Sequence, residues 1–241
     1  MKVMTIIGTR PEIIRLSEII KILDRFTNHT LVHTGQNYDD NLYKVFFKDL
    51  KLRKPDIQLK CQSKSIQEQI SKILESTGNV MDKHKPEAIV ILGDTNSGLS
   101  AIVAKRKKIP IFHLEAGDRS FDNEVPEELN RRIIDHTSDI NLAYTEHSRR
   151  NLIQEGIHPK NIFVIGSPIK EVYDNLKIDF KKSKIVSKLS LKRKNYFLSS
   201  LHREENVDKK KNLEELIKTF NNIVREYKMP LIVSTHPRTL K

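Results

Sequence analysis

The chain has no tryptophan and only one cysteine, Cys61, among its 241 residues. A single cysteine excludes an intramolecular disulfide and fits a reducing cytoplasm. No apolar run approaches the length needed to span a membrane, and the amino-terminal apolar stretch breaks at Gly8, unlike a signal peptide. We therefore expect a soluble, cytoplasmic, globular protein without a membrane partner.

Metal-ligand spacing is also missing. Cys61 lies in a polar stretch without histidine or cysteine neighbours, and no cluster of histidine, cysteine and acidic residues has the spacing of a metal site. The sequence likewise shows no internal repeat and no low-complexity segment. We predict that the protein binds no metal.

The net charge of +12 is concentrated in the last third of the chain. Residues 161–241 contain 18 basic and 9 acidic residues, which leaves 25 and 22 for residues 1–160. Such a basic segment could bind nucleic acid. However, the stretch KSKIVSKLSLKRK lacks the interleaved aromatic residues of a single-strand platform. Nucleotide binding is the more economical use of this charge, so we predict no nucleic-acid partner.

Apolar, β-rich runs alternate with amphipathic stretches along the chain. The run KVMTII (2–7) precedes an amphipathic helix that begins at Pro11, and the apolar run EAIVILGDT (87–95) is typical of a strand covered on both faces. Further strands are predicted at 30–35, 109–115, 139–145, 161–168, 195–202 and 230–237. This alternation predicts an α/β fold with a doubly wound, Rossmann-like parallel sheet.

The same pattern divides the chain into three segments. Residues 1–168 are predicted to form an amino-terminal Rossmann-like domain, residues 169–194 a lysine-rich connector, and residues 195–241 the start of a second Rossmann-like domain. One βαβ unit of roughly 45 residues buries too little surface to be stable by itself. We expect it either to pack on the first domain or to belong to a longer two-domain protein.

Charged residues follow the predicted strand ends. GTRP comes directly after the first strand, so a glycine turn and a helix start form an anion site beside Arg10. Asp94 and Glu115 end two strands that we expect to be neighbours, and ligands of open α/β sheets bind at this edge. A carboxylate that ends a buried strand is costly to desolvate unless another group pairs with it or uses it.

The segment His113–His136 carries acids and arginines between two apolar elements. Pro126 is predicted to begin a helix, and the acids that follow, Glu127 and Glu128, allow two interpretations. As structural residues they interact favourably with the positive end of the helix dipole and pair with arginines one turn later. As functional residues they belong to a charge cluster just past a strand end, where ligands bind. The pattern alone leaves both interpretations open.

Four motifs occur in order at these strand ends: GTRPEIIR, GDTNS, HLEAGDRSFDNEVPEELNRR and LHREEN. In this order and spacing they resemble the non-hydrolysing UDP-N-acetylglucosamine 2-epimerases, and the similarity covers essentially the whole chain. The resemblance implies a GT-B-type fold with the active site in the cleft between two Rossmann-like domains. The forms RPEIIR and HLEAGDR…VPEELNRRIIDH resemble the subgroup that makes UDP-N-acetyl-L-fucosamine, a 6-deoxy sugar nucleotide, for capsule or O-antigen.

The resemblance implies an isomerase that needs no cofactor. UDP is eliminated anti from a UDP-N-acetylhexosamine to give a 2-acetamidoglycal, and it adds back after C2 is reprotonated on the other face. Carboxylates must therefore lie near C1 and C2, with positive or hydrogen-bonding groups near the departing UDP. By resemblance, Asp94, Glu115 and Glu127 match the family's catalytic carboxylates, and His202 matches its histidine near the leaving diphosphate.

Three arginines are assigned to substrate binding by the same resemblance. Arg10 matches the family's cleft arginine, and Arg131 is expected to hold the loop that carries Glu127. Arg15 stands where a lysine is common in the family, which keeps the charge but changes reach and geometry.

The sequence ends before the glycine-rich SGG-QEE segment that binds UDP in the family's second domain. We therefore expect this chain to be weak or inactive alone. The implied partners are a UDP-sugar substrate and either a second copy, since the family is typically dimeric, or a separate carboxy-terminal half.

Other functions stay open beside a UDP-N-acetylglucosamine 2-epimerase. The substrate could instead be a UDP-2-acetamido-2,6-dideoxy-hexose. The chain could also be an inactive or fragmentary domain that binds a sugar nucleotide without converting it, although three aligned carboxylates favour an enzyme. A nucleic-acid-binding function has no support in the first 160 residues.

Overall fold

The computed structural model describes residues 1–36, 40–201 and 210–235. The predicted site residue His202 lies outside these described residues. The chain divides into two compact units, Met1–Leu176 and Lys177–Lys241. The domain boundaries predicted at residues 168 and 194 stay a prediction.

Seven of the described strands belong to the first unit. They are β1 (Lys2–Ile7), β2 (Asn28–His33), β3 (Ile57–Gln58), β4 (Ala88–Leu92), β5 (Ile111–Leu114), β6 (Ile140–Ala143) and β7 (Ile162–Val164). The helices between them are α1 (Arg10–Phe26), α2 (Asp40–Asp49), α3 (Ile66–His84), α4 (Ser100–Arg106), α5 (Pro126–Thr137) and α6 (Glu146–Gln154), followed by α7 (Ile169–Lys182). Short 3-10 turns lie at Asn96–Leu99 and Pro159–Asn161.

These strands form one parallel sheet in the order β3-β2-β1-β4-β5-β6-β7. The chain builds outwards from β1 to β3, returns to β4 on the other side of β1, and then continues outwards to β7. The carboxyl ends of β1 and β4 therefore form the topological switch point, where open α/β sheets bind ligands.

Helices cover both faces of this sheet. All five residues of β4 are buried, as the continuous apolar run predicts for a central parallel strand. On one face, Ile13, Leu16 and Ile20 of α1 pack into a core with strand residues such as Leu114. On the other face, residues of α3, α4 and α5 pack against β1, β2, β4 and β5.

Two helix starts follow the sequence pattern. Ser65 caps α3 by accepting a hydrogen bond from the N–H of Glu68 (3.4 Å), as the SIQE pattern predicts. Helix α1 begins at Arg10, and Glu12 reaches back to accept the N–H of Thr9 (2.7 Å). This second cap fixes the turn that leads out of β1 at the switch point.

The predicted α/β class with a doubly wound parallel sheet is confirmed. The described strands and helices occur in the predicted order, with bounds that differ by a few residues. One difference concerns the helix after β4, which the sequence predicts from Asn96 to Lys107. Residues 96–99 form a 3-10 turn instead, and the α-helix begins at Ser100. Asn96 is held in that turn by side-chain hydrogen bonds with Gln69 (2.8 Å) and Asn130 (3.0 Å).

The second unit contains the predicted βαβ arrangement. Its described elements are α8 (Ile185–Lys188), β8 (Phe197–Leu201), α9 (Lys210–Tyr227) and β9 (Leu231–Thr235). β8 and β9 pair in parallel, with Phe197 opposite Leu231. In neither unit is a described helix long and apolar enough to cross a membrane.

Candidate active site

Asp94 and Glu115 lie at the carboxyl ends of neighbouring strands. β4 and β5 pair in register, with Leu92 opposite Leu114. Asp94 follows β4 by two residues and Glu115 follows β5 directly. The sequence prediction that these two carboxylates end adjacent strands is therefore confirmed.

Arg15 of α1 holds Glu115. Its guanidinium Nη1 donates a hydrogen bond to Oε2 of Glu115, whose side chain is 12% exposed. Burial raises the pKa of the Glu115 carboxyl, the Arg15 pair opposes that rise, and the nearby charges of Asp94 and Asp118 add to it. A carboxyl with a raised pKa is suited to proton transfer near neutral pH. The backbone of Glu115 also adopts φ +65°, a left-handed conformation that is costly for this residue type.

Arg131 of α5 holds Asp94. Its Nη2 lies 2.5 Å from Oδ2 of Asp94, and both side chains are 19% exposed. The neighbouring Asn130 donates from Nδ2 to the backbone carbonyl of Asp94 (2.9 Å). Helix α5 therefore fixes both the side chain and the backbone of this strand end.

The two acids at the start of α5 differ in burial. Glu128 is 1% exposed and accepts hydrogen bonds from the N–H and hydroxyl of Ser120 (2.9 and 3.0 Å) and from Arg132 (3.0 Å). Burial favours a higher pKa for Glu128, but the Ser120 and Arg132 hydrogen bonds outweigh it and the pKa is lowered. Glu127 is exposed. The pairing expected one turn later thus forms between Glu128 and Arg132, whereas Arg131 reaches Asp94 instead of Glu127.

Arg10 lies at the switch point, where it begins α1 directly after the turn out of β1. Its side chain is exposed, and its guanidinium carbon is 5.8 Å from the ring centroid of Phe46. This is a cation–π distance. Of the predicted arginines, the structure thus pairs Arg15 and Arg131 with carboxylates and rests Arg10 on an aromatic ring.

Glu12 connects the ends of β1 and β4. Its Oε2 accepts the N–H of Gly8 (2.9 Å), and its Oε1 accepts the hydroxyl of Thr95 (3.0 Å). Burial raises the pKa of Glu12 to about 7, although these hydrogen bonds oppose the rise. A Cβ on Gly8 would fall 2.1 Å from Oγ of Ser97, so only glycine permits this close approach. Glu12 therefore helps to position the loop that carries Asp94.

A second charged cluster is buried beside the same strands. His113 Nδ1 lies 2.8 Å from one oxygen of Asp135, and its Nε2 donates to the backbone carbonyl of Gly93 (2.8 Å). Arg119 Nη2 lies 2.8 Å from the other oxygen of Asp135 and 2.6 Å from Glu155. The side chains of His113, Asp135 and Arg119 are fully buried. We call these three residues and Glu155 the buried network.

The charges of the buried network compensate one another. Burial favours a lower pKa for His113, but its hydrogen bond with Asp135 outweighs that cost and the pKa is raised. Burial favours a higher pKa for Asp135, but His113 and Arg119 outweigh it and the pKa is lowered. The imidazole is therefore stabilised in its protonated form, with both ring nitrogens donating.

Gly117 ties the buried network to the loop that carries Glu115. Its N–H donates to Oδ2 of Asp135 (3.2 Å), and its carbonyl accepts from Nδ2 of Asn151 (2.9 Å). Its φ is +81°, and a Cβ would fall 2.2 Å from the carbonyl oxygen of Ser148. Glycine is required here both for the backbone conformation and for the close packing on α6.

A polar cavity of about 320 Å³ lies beside these groups. Its lining includes residues 118–120, Arg131 and Asn151, together with Thr145, His147 and Ser148 at the start of α6. The hydroxyl of Ser148 donates to Asp118 (2.6 Å) across one side of it. We call Asp94, Glu115, Arg15 and Arg131 the carboxylate cluster. Because Arg131 both lines this cavity and binds Asp94, the cavity adjoins this cluster.

The described ranges, with their gaps at 37–39, 202–209 and 236–241, contain no group of three or more His, Cys, Asp or Glu side chains placed to hold a metal ion. The prediction for His202 falls in one of those gaps and stays a prediction. The roles of the other predicted site residues also stay predictions, although the structure places Asp94, Glu115, Arg15 and Arg131 together.

Sequence reasoning missed three features of this region. Tyr144 follows β6 directly at the same sheet edge, and its hydroxyl is buried. Its position at a strand end was the one available signal. Glu12 was assigned no role, and the contact between Arg119 and Glu155 joins residues 36 positions apart. Long-range contacts of this kind leave no local pattern.

The family model described as UDP-N-acetylglucosamine 2-epimerase matches residues 21–241. A UDP-N-acetylglucosamine 2-epimerase of Methanocaldococcus jannaschii is 42% identical over 246 aligned residues, covering 100% of this chain and 67% of the relative. The UDP-2,3-diacetamido-2,3-dideoxy-D-glucuronate 2-epimerase of Pseudomonas aeruginosa is 35% identical, covering 99% of this chain and 68% of its own length. The chain thus spans about two thirds of the length of these relatives.

Solved structures agree with the sequence relatives. The structure of UDP-N-acetylglucosamine 2-epimerase from Rickettsia bellii is 50% identical, with a TM-score of 0.92 over 100% of this chain and 63% of its own. The M. jannaschii enzyme in complex with UDP-GlcNAc and UDP is 42% identical, with a TM-score of 0.91 over 100% of this chain and 67% of its own. These superpositions confirm the fold that the motifs predicted. The chain belongs to the UDP-N-acetylglucosamine 2-epimerase family.

Proposed function

We propose that the protein inverts C2 of a UDP-N-acetylhexosamine, with UDP-N-acetylglucosamine as the leading substrate. The observation that carries this proposal is the pair of carboxylates at adjacent strand ends, Asp94 and Glu115, each held by its own arginine. The pair lies next to the topological switch point, where this class of sheet binds ligands. Relatives with this activity cover the whole chain.

The reaction requires a proton to leave C2 on one face and to return on the other. One carboxylate removes the C2 proton as the C1–O bond breaks, and UDP departs with the electron pair while the C1–C2 double bond forms. The second carboxylate then supplies a proton to the opposite face of C2, and UDP adds back to C1. Glu115 is suited to exchange a proton because burial raises its pKa.

The remaining predicted residues act around this pair. Arg15 and Arg131 keep the two carboxylates apart and oriented, since each guanidinium binds one of them. We assign Glu127, whose carboxylate is exposed, to charge stabilisation or proton transfer at the sugar. Arg10 and His202 are assigned to the departing diphosphate. No cofactor takes part in this scheme.

Two other substrates follow from the sequence and the relatives. The motif forms noted above favour a UDP-2-acetamido-2,6-dideoxy-hexose of the L-fucosamine route. The Pseudomonas relative acts, by its name, on a diacetamido-glucuronate. We further propose that the product is a precursor of a cell-surface polysaccharide made in the cytoplasm, and that the active protein is a homodimer.

The proposal is tested with the protein expressed from its complete coding sequence. Each of the three UDP-sugars is incubated with it, and the C2 epimer is followed by NMR of the anomeric proton. Formation of an equilibrium mixture from one substrate supports the proposal and identifies that sugar. A folded protein that binds a UDP-sugar and converts none of them would favour the second candidate, a sugar-nucleotide-binding domain.

A further inference from the structure

Four buried side-chain atoms of the described residues have no hydrogen-bond partner there: Oγ of Ser100, Nε of Arg131, Oδ1 of Asn141 and the hydroxyl of Tyr144. A buried polar group without a partner is costly, and such groups in native proteins call for an explanation. Two of these four, on Arg131 and Tyr144, belong to or adjoin the carboxylate cluster.

Tyr144 lies at the strand end next to Glu115. It follows β6, which pairs with β5 so that Leu142 lies opposite Leu114. Its ring packs against the core formed by α1 and the strands, on the same sheet face as Leu114 and Ile14. Asp94, Glu115 and Tyr144 therefore end three consecutive strands of the sheet, β4, β5 and β6.

The Tyr144 hydroxyl remains protonated beside this cluster. Burial raises the pKa of Tyr144, and the negative charge of Glu115 raises it further. A neutral phenol donates one hydrogen bond, and the Nε–H of Arg131 can only donate. The carboxylate pair is thus accompanied by a buried donor on the side of Glu115 and another on the side of Asp94.

We propose that Tyr144 is a substrate-binding residue whose hydroxyl donates a hydrogen bond to an acceptor oxygen of the hexosamine. The inference rests on the proposed function, because it supplies a ligand to the carboxylate cluster. An N-acetylhexosamine carries several such acceptors next to the reacting carbons, including the acetamido carbonyl. The second orphaned donor, Nε of Arg131, is available to another oxygen of the same sugar.

If Tyr144 has this role, removing its hydroxyl should weaken binding of the sugar without lowering the stability of the fold. A hydroxyl that completes a structural hydrogen bond stabilises the fold, so its removal lowers the melting temperature. A hydroxyl that is buried without a partner until the sugar arrives costs stability, so Tyr144→Phe leaves the melting temperature unchanged or raises it. The same substitution removes one hydrogen bond to the sugar and none to UDP.

The test compares the wild-type protein, Tyr144→Phe and the control Ser100→Ala, which removes another buried hydroxyl that lacks a described partner. Calorimetric titration with UDP-N-acetylglucosamine and with UDP alone is combined with thermal melts. We expect Tyr144→Phe to weaken binding of the sugar nucleotide roughly 3- to 10-fold, the effect of one neutral hydrogen bond. Binding of UDP by this variant, and both affinities of Ser100→Ala, should match those of the wild type.

Three outcomes would overturn the inference. If Tyr144→Phe binds UDP-N-acetylglucosamine like the wild type, the hydroxyl does not contact the sugar, and the proposed function is unaffected. If the melting temperature falls and the two affinities fall together, the hydroxyl has a structural partner. If the wild-type protein binds UDP-N-acetylglucosamine no more tightly than UDP alone, the proposed function fails together with this inference.

Discussion

The carboxylate cluster and the buried network use the same residue types for different purposes. In the buried network, Asp135 accepts from an imidazole, a guanidinium and a backbone N–H, so its lone pairs are used within the protein. In the carboxylate cluster, Asp94 and Glu115 each face one guanidinium, and two nearby donors lack a described partner. Saturated hydrogen bonding indicates a structural role, whereas unsatisfied groups beside paired charges indicate a ligand site.

The burial of the two clusters supports the same distinction. The side chains of His113, Asp135 and Arg119 are fully buried, whereas Arg15 keeps 37% of its side chain exposed beside Glu115. The first arrangement closes these three side chains to solvent, and the second leaves a carboxylate within reach of a substrate. The buried network supports the site indirectly, because Asp135 fixes the N–H of Gly117, two residues beyond Glu115.

The largest effect is expected at Glu115. Glu115→Gln keeps the size of the side chain and removes its capacity to exchange a proton. General acid–base residues typically contribute about 10²- to 10⁴-fold to a rate, so epimer formation should fall by that factor. The rate is measured by NMR of the two anomeric signals. Loss of less than about threefold would remove Glu115 from the proton-transfer role and break the contrast between the two clusters.

A substitution in the buried network should lower the free energy of unfolding. Arg119→Ala removes the buried guanidinium that pairs with both Asp135 and Glu155, and breaking a buried pair typically costs about 3–5 kcal/mol. Urea denaturation followed by circular dichroism measures the free energy of unfolding.

The matched control for this change is Arg149→Ala. Arg149 pairs with the exposed Glu146 one turn earlier on α6, at 3.4 Å. Exposed helix pairs contribute about 0.3–0.5 kcal/mol, so this variant should be nearly neutral. Equal costs for the two arginines would contradict the structural role assigned to the buried network.

Glu12 belongs to neither cluster and tests how burial acts on a carboxyl. Its pKa in the folded protein, about 7, lies above the ordinary value of 4.5. The folded state therefore binds the proton more tightly, so the stability from this group is present below about pH 4.5 and is lost as the pH rises through about 7.

The measurement compares wild type with Glu12→Gln by urea denaturation between pH 4.5 and 8. Because the other titrating groups are shared, the difference in unfolding free energy isolates Glu12. The wild type should lose about 3 kcal/mol relative to the variant across this range, since each unit of pKa shift corresponds to about 1.4 kcal/mol. A constant difference would show that the Gly8 and Thr95 hydrogen bonds keep the carboxyl ionised at all these pH values.

The smallest effects on stability are expected at the adjacent acids of α5, Glu127 and Glu128. Glu128→Gln weakens the hydrogen bonds from Ser120 and Arg132 and should cost about 1–3 kcal/mol of stability. Glu127→Gln changes an exposed group and should leave stability within about 0.5 kcal/mol, while epimer formation falls. Both variants are measured by denaturation and by the NMR rate assay. Wild-type activity in Glu127→Gln would assign that residue to the helix start alone.

The fold could be predicted because most of the described strands are apolar runs, and β1, β4 and β5 are followed directly by a glycine or a charged residue. Residues 87–95 form a continuous apolar run, and a central parallel strand, covered on both faces, buries all of its apolar side chains. The pairing of β4 with β5 followed from the order of the elements. The chain order of the helices followed from amphipathic periodicity, with residues 96–99 as a local exception.

The site could be predicted only where motifs mark it. Asp94 and Glu115 follow strands, and the sequence showed this directly. The helix-pair interpretation was wrong for Arg131, which binds Asp94 and not Glu127 one turn earlier. A carboxylate on another element competed with the i,i+4 partner for this guanidinium. Tyr144 had no motif, and its orphaned hydroxyl is visible only once the surrounding atoms are placed.

The most direct test of the account is deuterium incorporation at C2 of UDP-N-acetylglucosamine in heavy water. The protein from the complete coding sequence is incubated with the sugar nucleotide, and the C2 proton signals of both epimers are followed by NMR. We predict that deuterium enters C2 as the epimers interconvert, and that Glu115→Gln slows this exchange far more than Arg149→Ala. Epimer formation without deuterium at C2, or equal exchange in both variants, would contradict it.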